Sequence, residues 1–319
     1  MDSKTITVFG GSGFIGRHLV QRLAQRGWRV RVAVRRPDSA LFLKPMGDVG
    51  QITPIQANLR DDASVAAAVS GADAVVNLVG ILYESGKQSF EAVHHEGARR
   101  VAAAARAAGA GRLVQMSALG ADSASPSLYA RTKALGEQAV ARAFPGATII
   151  RPSVVFGPED AFFNRFAQLA MFSPFLPVVG KPPSGPRFQP VFVGDVAEAI
   201  ARALENPATA GKTYELGGPA VMTLADVLAQ VLAWTGRPRI VAWLPTGLVR
   251  LQAAVMEWLP VPPLTRDQVA LLMANNVVSG LLPGLAELGI QPTSAEAVVP
   301  GYLARFRRAS RKQSTTHLA

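Results

Sequence analysis

A chain of 319 residues, 49% hydrophobic and 17% charged, is long enough for one large domain or a domain with a smaller appendage, which excludes low-complexity disorder. With no cysteine, disulfides, thiolate zinc sites and iron–sulfur ligation are excluded, and a reducing compartment is expected. The 33 Lys and Arg against 22 Asp and Glu leave a net charge of +11, so an acidic partner or ligand must be sought.

Thr5 to Gly10 is a short β-branched run ending in glycine, followed by a helical pattern at Ile15, Leu19, Val20 and Leu23. The alternation repeats: strand at Trp28 to Val34, helix at Ala63 to Val69, strand at Ala74 to Val79, and an alanine-rich helix at Glu96 to Ala108. A strand at Leu113 to Met116, a helix from about Tyr129 to Ala143 and a strand at Thr148 to Ile150 follow. This order predicts an α/β fold with a parallel sheet covered on both faces.

Past Arg151 the prolines at 152, 158, 174, 177, 182, 183, 186 and 190 predict a smaller, loop-rich and mostly helical C-terminal lobe. The expected division is 1–151 and 152–319, with segments inside 188–218 returning to complete the sheet. Val191 to Val193 reads as strand, and Ala197 to Leu204, 223 to 235 and 264 to 274 as helix. No internal repeat is visible.

Gly10-Gly-Ser-Gly13-Phe-Ile-Gly16 lies where the first strand meets the first helix. Glycines there let backbone N–H groups of Gly10, Ser12, Gly13, Phe14, Ile15 and Gly16 approach a pyrophosphate at a helix N-terminus. The spacing is G-x-x-G-x-x-G, and its place between strand and helix predicts dinucleotide binding rather than a plain turn. Arg35 and Arg36 end the second strand, where a carboxylate would bond the ribose 2′-hydroxyl of NAD; guanidinium groups pair with a 2′-phosphate instead, so NADP(H) is preferred over NAD(H).

Tyr129 and Lys133 share a helix face at i and i+4, and Ser117 follows the preceding strand. Lys133 can hold a nicotinamide ribose and favour the Tyr129 phenolate as acid or base, while Ser117 can bond a substrate carbonyl. Together with Arg151 to Pro158 and Val193 to Ala197, these residues resemble the extended branch of the short-chain dehydrogenase/reductase superfamily over residues 5 to about 235. The resemblance implies a Rossmann-type doubly wound sheet and catalytic roles for Ser117, Tyr129 and Lys133. It also implies a cofactor site that takes in Leu78, Val79 and Gly80, with Pro152 to Val155 beside the nicotinamide and Asn58 and Leu59 flanking the adenine. The family usually has Asp where Asn58 stands.

Lys44 to Gln51, Pro263 to Val269 and Leu282 to Ile290 further resemble the nucleotide-binding accessory subunits of respiratory complex I. For that family the resemblance implies a tightly held NADPH, a stabilising role, and a position where the hydrophilic arm meets the membrane arm near the quinone channel. The alternative from the complete Ser117, Tyr129 and Lys133 set is a free-standing NADP(H)-dependent reductase or epimerase acting on a small carbonyl, sugar or quinone-pathway substrate.

In the apolar segment 240–264, Trp243, Leu244, Leu248, Leu251, Val255, Trp258 and Leu259 recur at near-helical spacing. They read either as an internal core helix or as a docking face for complex I subunits or a membrane surface, with the basic tail 305–312 beside it. No nucleic acid is expected, because the charge divides between Arg17 to Arg36 and that tail, with no aromatic platform among the tail arginines. No metal is expected, since the adjacent His94 and His95 point about 100° apart on a helix. Asp195 reads as a helix cap. The polar start and the interrupted run from Gln268 to Ala286 predict neither signal peptide nor transmembrane helix, and a peripheral place on the cytoplasmic side of the inner membrane or the mitochondrial matrix side.

Overall fold

Five consecutive buried residues, Thr-Ile-Thr-Val-Phe, form β1 (Thr5–Phe9), and burial on both faces marks a central strand. The computed structural model describes residues 4–179, 185–259, 262 and 264–307. After β1 come α1 (Phe14–Gln25), β2 (Arg29–Val34), β3 (Ile52–Gln56), α2 (Asp62–Val69) and β4 (Ala74–Asn77). A π turn over Glu91–His95 runs into α3 (Glu96–Ala107), followed by β5 (Arg112–Met116), α4 (Leu128–Ala143) and β6 (Thr148–Pro152).

The second half contributes β7 (Val155–Phe156), α5 (Phe163–Phe172), β8 (Phe175–Val179), β9 (Arg187–Phe188), β10 (Val191–Phe192), α6 (Val193–Glu205), β11 (Thr213–Leu216) and β12 (Met222–Thr223). Then follow α7 (Leu224–Thr235), β13 (Ile240–Leu244), α8 (Thr246–Met256), α9 (Arg266–Leu272) and α10 (Ala295–Leu303). Seven strands in the order β11-β6-β5-β4-β1-β2-β3 make one sheet, and every pairing in it is parallel.

The sheet is doubly wound. On one face Ile6 and Val8 pack against Leu19, Val20 and Leu23 of α1 and Val196 and Ile200 of α6. On the other, Phe9, Val75 and Leu113 pack against Val65 of α2, Val101 and Ala105 of α3 and Val140 of α4. β11 closes the edge beside β6, with Tyr214 opposite Ile150. The smaller lobe buries Phe156, Phe163, Val227, Val231 and Val299 together, and its short strands pair as β7 with β10, β9 with β12 and β8 with β13.

Several local expectations change. β3 was not anticipated, because Ile-Thr-Pro-Ile-Gln carries a proline and only β2 pairs with it. α5 emerges from the proline-rich stretch because its prolines flank Phe163–Phe172 rather than interrupt it. α10 contains Pro300, which removes one helix hydrogen bond and hides the helix in the sequence. Val193 starts α6 rather than ending a strand. Asp195 is not the cap of α6: Phe192 holds that position, and the Asp195 carboxylate accepts from the backbone N–H and hydroxyl of Thr293 at 2.6 and 3.0 Å.

The segment 240–264 is not one helix. Ile240–Leu244 joins β8 in parallel register, and Pro245 breaks the chain before α8. Within α8 only Val249 and Ala253 are buried, against Val269 of α9. Leu248, Leu251, Val255, Trp258 and Leu259 are exposed, Trp258 at 90%, so the core-helix reading fails for them. In the basic tail, Arg305 donates to Asn164 Oδ1 at 2.6 Å and Arg307 to the Trp234 carbonyl at 3.3 Å. Arg308, Arg311 and Lys312 of that tail, and Pro182, Pro183 and Pro263, lie outside the described residues. No helix among the described residues is long and apolar enough to cross a membrane.

Candidate functional site

Strand order reverses between β1 and β4, and in an open parallel sheet such a reversal opens a crevice at the carboxyl ends of the strands. The glycine loop leaves β1 there, and Leu78, Val79 and Gly80 leave β4 beside it. Gly10 has φ of +75°, its N–H donates to the Ala33 carbonyl at 3.1 Å, and its carbonyl accepts from the Gly13 N–H at 3.0 Å. A Cβ on Gly16 would lie 2.5 Å from the Gly10 oxygen and 2.6 Å from the Gly11 carbonyl carbon, so only glycine lets α1 start this close to the loop. Gly13 stands at the N-cap with no side-chain bond, and no acid occupies the first turn of α1. The positive end of that helix is therefore left open to an anion. Gly13 is the exposed tip of the loop, with Ser12, Phe14 and Ile15 half-buried around it.

Beyond β2, Arg35 and Arg36 are exposed, and no side-chain hydrogen bond or ion pair among the described residues engages either guanidinium. Arg35 lines a cleft of about 380 Å³ with Gln56, Ala57, Asn58, Asp61 and Ser64. Asn58 Oδ1 accepts from the Arg60 N–H at 3.2 Å, and the Asn58 N–H donates to Ser64 Oγ at 3.0 Å, which shapes the cleft wall. Asp61 is occupied as the cap of α2, accepting from Ala63 and Ser64. Leu59 is buried in the core beside Gly97 of α3, where a Cβ on the glycine would lie 3.2 Å from Leu59 Cδ2.

Ser117 follows β5, its N–H donating to the Ile150 carbonyl at 2.7 Å. Its hydroxyl is buried and has no hydrogen-bond partner among the described residues. Lys133 is buried on α4, its Nζ 3.4 Å from the Met116 carbonyl and 5.8 Å from the centre of the Tyr129 ring. Burial pulls the lysine down to about 8 despite the raising effect of Glu137. Burial first, and the Asp267 charge second, push Tyr129 up to about 12. Both influences favour the neutral phenol over its anion.

His94 completes this cluster and was not anticipated as part of it. Its Nε2 accepts from the Ile81 N–H at 3.0 Å, its Nδ1 lies 3.2 Å from Thr132 Oγ1, and its ring meets Tyr129 edge-on at 5.1 Å between centroids. A Cβ on Gly80 would stand 3.3 Å from Lys133 Nζ and 3.7 Å from His94 Nε2, so Gly80 is the small residue over both. The π turn that carries His94 packs on α4 at Gly136, where any side chain would collide with the His94 carbonyl oxygen. A widened turn and a glycine one helix away were the available sequence signals, and neither is legible without the packing. His95 faces elsewhere, beside Glu91 and Glu96, whose ligand atoms lie within 4.8 Å of one another and of its own.

The stretch from Pro152 at the end of β6 to Val155 in β7 follows, with Pro152 buried and Val155 half-buried. Asn276 ties it down: its Oδ1 accepts from Ser153 Oγ at 2.7 Å and the Val154 N–H at 3.0 Å. Asn276 was absent from the expected site, since it comes from a connecting stretch more than a hundred residues away.

A glycine cradle that a Cβ would fill, an uncapped helix start and a buried Ser117 hydroxyl without a partner among the described residues fit a dinucleotide. Residues 6–217 match the NAD dependent epimerase/dehydratase family, and the chain belongs to that family, within the short-chain dehydrogenase/reductase superfamily. Among curated relatives it is 38% identical to "NADH dehydrogenase [ubiquinone] 1 alpha subcomplex subunit 9, mitochondrial" of Arabidopsis thaliana, over 95% of this chain and 78% of that protein. It is 36% identical to the rat protein of the same name, over 94% and 80%. A "Ceramide reductase" of Caulobacter vibrioides is 32% identical over 79% of this chain and 78% of that one. The fold matches Thermus thermophilus UDP-glucose 4-epimerase in complex with NAD at a TM-score of 0.69 and 22% identity, over 96% of this chain and 99% of that one.

Proposed function

We propose that this chain is an accessory, stabilising subunit of respiratory complex I that holds NADP(H) as a mainly structural cofactor. The observation that carries the reading is its likeness along nearly the whole chain to mitochondrial subunits of that enzyme in plant and animal. In this reading the Gly10 to Gly16 loop and the start of α1 take the pyrophosphate, and Arg35 and Arg36 pair with the 2′-phosphate. Lys133 holds the nicotinamide ribose, with Pro152 and Val155 on one side and Leu78, Val79 and Gly80 on the other. Bound there, the nicotinamide can supply or take up a hydride. The protein works at the periphery, on the cytoplasmic side of the inner membrane or the matrix side of a mitochondrion, and docks through 240–264 and 305–312. Residues 1–151 form the nucleotide domain and 152–319 the docking lobe.

The nucleotide released on denaturing the purified protein tests this directly: near-stoichiometric NADPH is expected, and NADH or none refutes it. Arg35→Asp is expected to weaken NADPH at least about tenfold while sparing NADH, since it replaces a charge-assisted pair by repulsion. In solubilised membranes the protein is expected to travel with respiratory subunits.

A second reading, a free-standing NADP(H)-dependent reductase or epimerase, is favoured by the buried Ser117 hydroxyl, without a partner among the described residues, next to the Met116 carbonyl that Lys133 approaches. The ceramide reductase relative supports a carbonyl substrate. A protonated Tyr129 suits proton donation to a carbonyl oxygen, which is the direction of reduction. Loss of cellular activity in Tyr129→Phe with assembly intact would favour this reading over the first.

A further inference from the structure

The first N–H groups of any α-helix have no intrahelical acceptor. In α4, Ser127 Oγ satisfies that of Ala130 at 3.2 Å. The N–H groups of Leu128 and Tyr129 donate to the carboxylate of Asp267 at 2.7 and 3.4 Å, and the Ser127 hydroxyl donates to it at 2.9 Å. Asp267 is in the first turn of α9, in the C-terminal lobe.

α9 is held firmly enough to act as a fixed point. Thr265 and Gln268 form a reciprocal cap at its start. Arg266 pairs with Glu257 below α8 at 2.8 Å, and Val269 is buried against Val249 and Ala253. Gln268 Nε2 donates to the Leu82 carbonyl at 3.2 Å. Two adjacent residues of α9 therefore hold two elements that meet at the Tyr129 cluster: Asp267 the start of α4, and Gln268 the loop that follows Gly80 and Ile81.

We infer that Asp267 is a positioning residue of the nucleotide site, reaching across from the C-terminal lobe to set the start of the helix that carries Tyr129 and Lys133. The inference rests on the NADP(H) reading above. Its carboxylate does two separable things. As an acceptor it fixes the first turn of α4, and as an anion at the positive end of that helix it stabilises the helix while opposing a second negative charge on Tyr129. A carboxylate that merely caps a helix would accept and stabilise in the same way, but without consequence for nucleotide or for Tyr129.

Asp267→Ala and Asp267→Asn in the full chain separate the two roles. Two readouts apply: NADPH affinity, and the nitration rate of Tyr129 by tetranitromethane at pH 9, mapped by mass spectrometry with Tyr83 as internal reference. Asp267→Ala is expected to weaken NADPH about tenfold or more, whereas Asp267→Asn, whose one carbonyl oxygen can still accept from the Leu128 N–H, stays within about threefold. Both variants are expected to nitrate Tyr129 at least about threefold faster, because nitration follows the phenolate fraction. Unchanged NADPH affinity in Asp267→Ala overturns the inference. Should that variant fail to fold, the nitration rate of Asp267→Asn decides, an unchanged rate being the adverse result. If the unmodified protein takes up no NADPH, the NADP(H) reading fails, and nitration of Asp267→Asn still judges Asp267 by the same criterion.

Discussion

The backbone N–H of Ile81 donates to His94 Nε2 at 3.0 Å, which leaves this buried imidazole one tautomer. Nε2 must carry the lone pair, so Nδ1–H points to Thr132 Oγ1, and the Thr132 hydroxyl in turn donates to the carbonyls of Leu128 and Tyr129 at 2.9 and 3.0 Å. A one-way chain of hydrogen bonds thus links the loop after β4 to the first turn of α4.

That chain makes stability depend on pH. Burial, then the Lys133 charge, lower His94 to about 2, so the folded protein keeps it neutral while the unfolded chain protonates near 6.5. The unfolded state then binds the extra proton, and the stabilisation present above pH 6.5 is lost as pH falls below it. From pH 8 to pH 5.5 this one residue is expected to remove about 1.4 kcal/mol. Denaturant titration of the wild type and His94→Gln at both pH values checks it: the variant is expected to show a shallower loss.

Gly16→Val is expected to abolish nucleotide retention while the fold survives. Its side chain would begin 2.5 Å from the Gly10 oxygen, and loop backbone cannot yield as a flexible side-chain tip can. Relief requires the loop to leave the crevice, at about 1–3 kcal/mol of strain. Circular dichroism near that of the parent, with at least about tenfold weaker NADPH binding, is the expected pair of results.

Lys133 is a buried ammonium at neutral pH, and the unfolded chain keeps its proton up to about 10.5 whereas the folded one releases it near 8. The folding penalty is therefore complete below pH 8 and fades as pH rises toward 10.5. Lys133→Met is expected to raise the stability of the nucleotide-free protein at pH 7 by about 1–2 kcal/mol and to lose NADPH retention. Melting curves with and without NADPH measure both effects.

Trp258, just past the end of α8, is 90% exposed, and Leu251 and Val255 within that helix are exposed as well. Trp258→Glu is expected to change stability by no more than about 0.5 kcal/mol, as a surface substitution without partners does. If this face docks the protein, the same variant leaves the membrane fraction. Retention there at the parental level would place docking elsewhere.

Much of the nucleotide half was legible in the sequence because its signals are local. Alternating strand and helix patterns depend on residues within a dozen positions, and the glycine loop announces itself by lying between β1 and α1. Tyr129 and Lys133 declare a shared face by helical spacing alone. The exchange of a carboxylate for Arg35 and Arg36 needs only the end of β2. What stayed hidden was carried by contacts between distant stretches. His94 looks like one of two adjacent histidines until the π turn, Gly136 and Ile81 bury it against Tyr129. Asn276 and Asp267 are ordinary polar residues of the second lobe until folding puts one on Ser153 and Val154 and the other on the first turn of α4. The surroundings of Tyr129 were likewise set in three dimensions: its spacing from Lys133 is read along one helix, but the burial and the Asp267 charge that raise its phenol come from folding distant segments onto that helix.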